Sequence, residues 1–176
     1  AIVDLIDSMV VSKVLIVAPL RVANSVWHVE AARWQHTKHL KFSIVTGSEK
    51  ERLAALHKTA DVYVINRENV TWIVEHYAKK WPFDMIVLDE SSSFKSASSQ
   101  RFKSLRKTIP FTNRLVELTG TPSPNGLLDI WSQMYLLDCG ERLGRSMTAY
   151  KQRFFEAGYN GYSFKPVKSA DKIIHK

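Results

Sequence analysis

Two adjacent acids, Asp89 and Glu90, directly follow the apolar residues 85–88. If this run is a buried strand, both carboxylates lie at its tip. The first acid can then hold Mg²⁺, and the second can orient or deprotonate a water that attacks a phosphate. The alternative is that Asp89 or Ser91 caps a helix containing Phe94, because Asp and Ser are frequent at helix N-caps. This stretch alone does not decide between catalysis and capping.

Two hydroxyl side chains flank a glycine after another apolar run. Thr119, Gly120 and Thr121 follow residues 114–118 and precede Pro122. Hydroxyls at this place can bridge a metal site and a bound nucleic-acid strand. The alternative is a simple tight turn, in which Gly and Pro are common.

A third run, residues 13–18, ends at Pro19, and Arg21 follows before a predicted helix. An arginine at this position can bind a phosphate together with the helix N-terminus. The alternative is a solvated loop arginine.

The elements that must position these side chains alternate between strand and helix. Runs rich in Val and Ile predict strands at residues 13–18, 42–46, 61–65, 84–88 and 114–118. Helical periodicity occurs between them, as in Val70, Ile73, Val74 and Tyr77. The alternation predicts an α/β fold with a mainly parallel sheet and helices on both faces. Ligands bind outside the carboxyl ends of strands in such sheets, so all three polar sets should lie along one edge.

The stretches APLRV, VLDE and LTGTPSPN, in this order and at these separations, resemble motifs Ia, II and III of the first RecA-like lobe of superfamily-two helicases. The similarity is closest to the Swi/Snf-type DNA translocases, including their phage-borne relatives. RLVELTGTPSPNGLLDIWSQMYLLD is the most specific part, and the resemblance covers about residues 1–156. It implies a three-layer RecA-like (P-loop NTPase) domain, incomplete at its amino end, over residues 1–139. Residues 140–176 are expected to form a helical or irregular appendage or the start of an insertion.

The resemblance also implies roles for the matched residues. Asp89 would hold the Mg²⁺ of MgATP, and Glu90 would activate the attacking water. Thr119, Gly120 and Thr121 would couple the ATP site to bound DNA. Contacts with DNA are implied for Pro19, Leu20 and Arg21, for Asn66 and Arg67 at the end of another strand, and for Lys95, which matches a family lysine after motif II.

Departures from the family pattern limit what is expected of this chain. The family's phosphate-gripping loop ends Gly-Lys-Thr or Gly-Lys-Ser, but this chain has no Gly-Lys pair and its first glycine is Gly47. We therefore expect the chain to begin just after that loop, to lack the second RecA-like lobe, and to bind ATP and Mg²⁺ tightly only as part of a complete protein. Ser91 and Ser92 replace a common Ala-His, whose histidine often links the ATP site to motif III.

The net charge of +8 favours a polyanionic partner, with duplex DNA the first candidate. Five basic residues lie close together in the chain and can track phosphates or form a solvated helix face: Lys95, Arg101, Lys103, Arg106 and Lys107. Phe102 and Leu105 are expected on the buried side of this helix. The tryptophans Trp27, Trp34 and Trp131 fall on apolar helical faces, which predicts core packing rather than base stacking.

The remaining composition excludes several classes. Cys139 is the only cysteine, so no internal disulfide can form, and no apolar window reaches the roughly 18 residues of a membrane span. These features fit the cytoplasm of a bacterial or phage-infected cell. The histidines show no spacing typical of zinc ligands.

Together these observations predict a motor-lobe fragment of an ATP-dependent DNA translocase or helicase, inactive as an ATPase on its own. The alternative is a non-catalytic remnant or split subunit that binds DNA or a partner lobe. A different doubly wound domain, such as a methyltransferase, is disfavoured because it does not explain LTGTPSPN and needs a Gly-rich first turn.

Overall fold

A parallel sheet forms the centre of the molecule. The computed structural model describes residues 1–158 and 163–174, without the side chains of Asp171 and Lys172. Within these residues, β1 (Val14–Ala18), β2 (Phe42–Val45), β3 (Val62–Asn66), β4 (Met85–Asp89) and β5 (Arg114–Leu118) pair in the order β2-β3-β1-β4-β5, with every pair parallel. The predicted α/β class and its mainly parallel sheet are confirmed.

The strand ends differ from the prediction by one residue where it matters for function. Strands β3 and β4 each begin and end one residue later than expected, so that Asn66 and Asp89 are the last residues of their strands. The strand β5 matches the predicted residues 114–118. The carboxyl ends of β1, β3, β4 and β5 therefore meet at one edge of the sheet.

Helices cover both faces of the sheet and give three layers. The helices of the described residues are α1 (Ile2–Asp7), α2 (Leu20–Ser25), α3 (Trp27–Arg33), α4 (Glu49–Leu56), α5 (Val70–Tyr77), α6 (Gln100–Arg106), α7 (Ile130–Asp138), α8 (Met147–Phe154) and α9 (Ala170–Ile174). Helices α1, α2 and α3 pack on the face that carries Ile16 and Val87. Helices α5, α6 and α7 pack on the face that carries Leu15 and Leu88. Strands β1 and β3 are buried along their whole length as a result.

The helical region after β1 is shorter and more broken than its apolar pattern indicates. Val26, whose φ is −110°, separates α2 from α3 and is itself 41% exposed. Trp34 follows the end of α3 and is 59% exposed. The prediction that Trp34 packs in the core is wrong, whereas Trp131 is buried as predicted.

The chain beyond Cys139 packs on the same apolar core as the sheet. Two short antiparallel strands, β6 (Phe155–Ala157) and β7 (Phe164–Pro166), follow α8, so the expectation of no strand there is wrong. Tyr150 and Phe154 are buried in the cluster that includes Leu15 and Leu88. The Tyr150 hydroxyl donates a hydrogen bond to the Leu127 carbonyl at 2.8 Å. The proposed division at residue 139 stays a prediction. None of the described helices combines the length and apolarity needed to span a membrane.

Strand β5 lies at the edge of the sheet and carries a buried carboxyl group. Val116 and Leu118 are 36% and 41% exposed, while Glu117 between them turns towards the opposite face. The Glu117 Oε1 atom is buried and has no hydrogen-bond partner among the described residues. Because burial disfavours the charged form, the pKa of Glu117 is raised to about 8, with the nearby Ser91 hydroxyl opposing the shift.

Glu117 should make the stability of the fold depend on pH. Since its pKa rises from 4.5 in the unfolded chain to about 8 in the folded one, its contribution is fully present below pH 4.5 and is lost as pH rises to about 8. The Glu117→Gln variant cannot ionise, so it should gain on the order of a few kcal/mol over the wild type across this window. Urea unfolding at several pH values measures the difference. Glu75→Gln, at an exposed position on α5, is the control. Parallel stability curves for Glu117→Gln and the wild type would contradict the assignment.

Candidate active site

The acidic pair lies at the tip of β4 in an unusual backbone conformation. Asp89 ends the strand, and Glu90 has φ 61° and ψ 62°, a left-handed conformation that is uncommon outside glycine and occurs often at functional sites. A 3-10 turn, Ser91–Phe94, follows, and no side chain caps it. The capping alternative is therefore wrong. We refer to residues 89–94 as the acidic turn.

Glu90 binds the two hydroxyls that surround it. Its Oε1 accepts hydrogen bonds from Ser92 Oγ at 2.5 Å and from Thr119 Oγ1 at 2.8 Å. These two bonds, from Ser92 and then Thr119, lower the pKa of Glu90, and the positive charge of Arg67 adds to them against the opposing effect of desolvation. Glu90 is therefore a carboxylate at neutral pH. Residues that follow three strands, Arg67 after β3, Ser92 after β4 and Thr119 after β5, therefore all act on the Glu90 carboxylate.

Thr119 joins the acidic turn to the segment after β5, residues 119–126, which we call the threonine loop. Its hydroxyl donates to Glu90 and accepts from the Thr121 amide at 3.1 Å. Thr121 and Gly120 are exposed, and Gly120 has no positive φ. Gly120 lies at a bend, and the hydrogen-bonded turn of this loop comes later, where the Gly126 amide donates to the Ser123 carbonyl at 3.1 Å. The simple tight turn expected at Thr119–Thr121 is therefore not found there.

Asp89 has a partner that sequence reasoning missed. The Trp27 indole Nε1 donates to Asp89 Oδ2 at 2.9 Å, from α3 on the other side of the sheet's edge. Trp27 is half-buried against the core as predicted, and its N–H finds an acceptor, as that of a buried tryptophan usually does. Its apolar pattern contained no signal that the acceptor is Asp89.

A buried amide also connects the two segments. Ser91 is fully buried, and its Oγ donates to Gln133 Oε1 at 2.9 Å. Gln133 Nε2 donates to the Pro122 carbonyl at 2.6 Å and to the Asp129 carbonyl at 3.0 Å. Sequence reasoning overlooked Gln133, although a glutamine among the apolar residues of α7 is a signal of a buried polar contact.

The family histidine that often links motifs II and III has no counterpart here, but the linkage does exist. Ser92 and Ser91, which stand at that place, make contacts that reach the threonine loop through Glu90 and through Gln133 respectively. In this structure, hydroxyls and an amide connect the two segments at the place where the resemblance implies a histidine.

The residues expected to contact DNA differ in how exposed their side chains are and in whether other residues already bind them. Pro19 precedes α2, Leu20 is 50% exposed and Arg21 is exposed, all after the carboxyl end of β1. Arg67 also follows a strand at this edge, with Nε 3.1 Å from Glu68 Oε1. Asn66 is buried, and its amide is bonded to Glu68 and Asn69. Its polar groups therefore organise the turn after β3.

The basic stretch after the acidic turn is less uniform than a single helix face. Lys95 lies 3.7 Å from Asp129 Oδ2, and Arg101 makes a long 3.5 Å hydrogen bond to the Ser93 carbonyl. Helix α6 begins only at Gln100, with Phe102 and Leu105 buried as predicted. Lys103, Arg106 and Lys107 are exposed. A phosphate-tracking role for this stretch stays a prediction.

Asp89 fits the usual way in which proteins hold Mg²⁺ together with a nucleotide. Such sites use one or two carboxylates, with waters and phosphate oxygens as the other ligands. Hydrogen bonding engages Asp89 Oδ2, and no described residue bonds its Oδ1. In the described part of the chain no group of three or more His, Cys, Asp or Glu side chains could hold a metal ion by itself.

Comparisons with known proteins agree with this geometry. The family model described as SNF2-related domain matches residues 5–158. "Putative protein p41" of Acyrthosiphon pisum secondary endosymbiont phage 1 is 43% identical over 148 residues, covering 81% of this chain and 32% of that protein. The mouse "DNA excision repair protein ERCC-6-like" is 31% identical over 150 residues, covering 81% of this chain and 12% of that protein.

A solved structure shows the same fold. The Sulfolobus solfataricus SWI2/SNF2 ATPase core in complex with dsDNA superposes with a TM-score of 0.70 and 23% identity, over 87% of this chain and 30% of that one. The chain thus spans about a third or less of these relatives' lengths. The family model matches residues 5–158, most of the chain, and the chain belongs to the SNF2-related domain family.

Proposed function

We propose that this chain forms part of the motor lobe of an ATP-dependent DNA translocase. The observation that carries the proposal is the Glu90 carboxylate, held at a strand tip by a hydroxyl from the threonine loop. In this arrangement, the Glu90 carboxylate would act on the bound phosphate. The same carboxylate accepts a hydrogen bond from the threonine loop, the segment expected to respond to DNA. The resemblance of the threonine loop to motif III supports the same reading.

The proposed roles of the acids follow from their surroundings. MgATP, when bound, supplies the phosphoanhydride bond and the metal charge that stabilises its cleavage. Asp89 would offer its free oxygen to the metal while Trp27 fixes the other oxygen. Glu90 would orient the attacking water. Its lowered pKa makes it a weak base, so positioning contributes more than full proton abstraction.

The phosphate-binding loop of the family is not recognisable in this sequence. P-loop amides and the P-loop lysine normally cradle the β- and γ-phosphates, and the sequence has no Gly-Lys pair. We therefore propose that catalysis requires further segments, including a phosphate-binding loop and a second lobe. The same observation supports a second candidate, in which the chain binds DNA or a partner lobe without hydrolysis.

Duplex DNA is the proposed partner. The mouse relative is named for DNA excision repair, and the structural neighbour is bound to dsDNA. Arg21 and Arg67, at the same edge of the sheet as the acidic turn, provide charge for phosphate contacts. A location in the cytoplasm of a bacterial or phage-infected cell is part of the proposal, supported by the phage relative.

Hydrolysis should depend on Glu90 and on segments outside this chain. The purified chain should hydrolyse ATP negligibly with or without DNA. In a protein that joins this lobe to a phosphate-binding loop and a second lobe, Glu90→Gln should lower turnover by about 10²-fold or more, since it removes the water-orienting carboxylate. Phosphate release measures turnover, and circular dichroism checks the fold. Glu75→Gln is the control. Unchanged turnover in Glu90→Gln would remove Glu90 from its role, and strong turnover by the chain alone would remove the need for other segments.

Asp89 should bind a divalent cation weakly even in the isolated chain. Mn²⁺ replaces Mg²⁺ at oxygen sites and broadens nearby NMR signals, so it should broaden the Trp27 indole N–H signal before that of the exposed Trp34. Trp27→Phe assigns the signal. Asp89→Asn should abolish the selective broadening. Equal broadening of both indoles in the wild type would argue against metal at Asp89.

DNA binding should depend on the sheet edge that carries the acidic turn. Arg21→Glu should weaken the binding of a short duplex about tenfold and reduce the salt dependence of log K by about one unit per lost phosphate contact. The matched control is Lys41→Glu. Lys41 is exposed and lies just before β2, where the amino ends of the strands are found. Fluorescence anisotropy across a salt titration measures both effects. Equal weakening by the two variants would show that net charge, rather than this edge, determines binding.

A further inference from the structure

Gln133 is a buried side chain whose three polar contacts go to three different segments. It is 4% exposed. Its Oε1 accepts from Ser91 in the acidic turn, and its Nε2 donates to Pro122 in the threonine loop. A further bond from Nε2 reaches the Asp129 carbonyl in the 3-10 turn Leu127–Asp129, just before α7. One rigid amide therefore spans the two segments that carry the candidate catalytic groups.

We propose that Gln133 is a positioning residue that couples the acidic turn to the threonine loop, so that a displacement of either segment moves the other. The proposal rests on the proposed function only for the identity of the ligands that act on each segment. Gln133 contacts neither candidate catalytic acid, and it acts through Ser91 and Pro122.

The hydrogen bonds of Gln133 with Ser91 and with Pro122 form a bridge between the two segments. The bridge couples the segments because breaking it costs free energy. Gln133 is buried beside the fully buried Ser91, so separating the two would leave the amide oxygen of Gln133 without a partner in the core. Buried polar groups left unpaired are penalised more than the same groups in water. The two segments therefore move together at lower free energy than apart.

The bridge is distinct from the outer contact between the same segments. Thr119 reaches Glu90 at the partly exposed tip of the sheet, where water and ligands compete for its hydroxyl. Gln133 is buried, so its hydrogen bonds to Ser91 and Pro122 are shielded from solvent. A ligand at Glu90 that displaces Thr119 therefore leaves the inner connection in place.

Hydrogen exchange in the isolated chain tests the bridge without any ligand. Gln133→Met keeps the length of the side chain and removes all three bonds. It should speed exchange of amides in both segments by roughly fivefold or more, the effect expected from losing a net hydrogen bond. The amides of Ser93, in the acidic turn, and of Lys95, directly after it, report on the first segment. The amides of Asn125 and Gly126 report on the threonine loop. Amides of β1 should not change.

Ser132→Ala is the matched control. Ser132 is the neighbouring residue on α7, is fully buried, and has no hydrogen-bond partner for its Oγ among the described residues. It should leave both segments protected. Ser91→Ala should speed exchange in both segments, and the double variant Ser91→Ala with Gln133→Met should be no faster than Gln133→Met alone. Faster exchange in only one segment, uniform loss of protection throughout the chain, or additive effects in the double variant would overturn the proposal.

Adding duplex DNA separates the bridge from the proposed function. In the wild type, DNA should slow exchange in the threonine loop and in the acidic turn. In Gln133→Met, which keeps only the outer contact between Thr119 and Glu90, DNA should slow the threonine loop as before and the acidic turn much less than in the wild type. Slowing of the acidic turn to the wild-type extent in Gln133→Met would overturn the coupling while DNA binding stands. If DNA does not bind to the wild type, the DNA part of the proposed function fails, and the ligand-free exchange still decides the role of Gln133.

Discussion

The hydrogen bonds that Glu90 Oε1 accepts from Ser92 and Thr119 are the constraint on which the site depends. They hold a carboxylate in one orientation at the end of β4, where Glu90 has left the strand in a left-handed conformation. They also lower its pKa and so favour the charged carboxylate. Together with the buried contacts of Gln133, they join the acidic turn and the threonine loop into one unit.

The parallel sheet makes this unit possible. Because β1 is central and β4 lies between β1 and β5, the ends of four strands place Arg21, Arg67, Asp89 and Thr119 along one edge. Helices on both faces bury β1 and β3 along their whole length, whereas the edge strand β5 keeps one face exposed. Membership of the SNF2-related domain family agrees with this arrangement, since the edge carries the stretches APLRV, VLDE and LTGTPSPN.

The sequence predicted the fold well because strand periodicity and alternation are strong local signals. It located Asp89, Glu90 and Thr119 because their types and their position after apolar runs carry chemical meaning. It did not locate Trp27 or Gln133, since both act through contacts between segments distant in the chain. It also misplaced Trp34, because an apolar repeat does not show where a helix breaks, as at Val26. The antiparallel strands β6 and β7 were also not predicted, because each has only three residues and such a short strand leaves little local pattern.

The pKa of Glu90, measured by NMR titration of its side-chain carboxyl carbon, tests the central claim most directly. We expect a pKa below that of an ordinary glutamate in the wild type, because two hydroxyls and Arg67 stabilise the charged form. Thr119→Val and Ser92→Ala should each raise it towards the ordinary value, and Ser132→Ala should not change it. A Glu90 pKa that is ordinary in the wild type and unchanged by Thr119→Val would contradict the account, since the acidic turn and the threonine loop would then not be joined at this group.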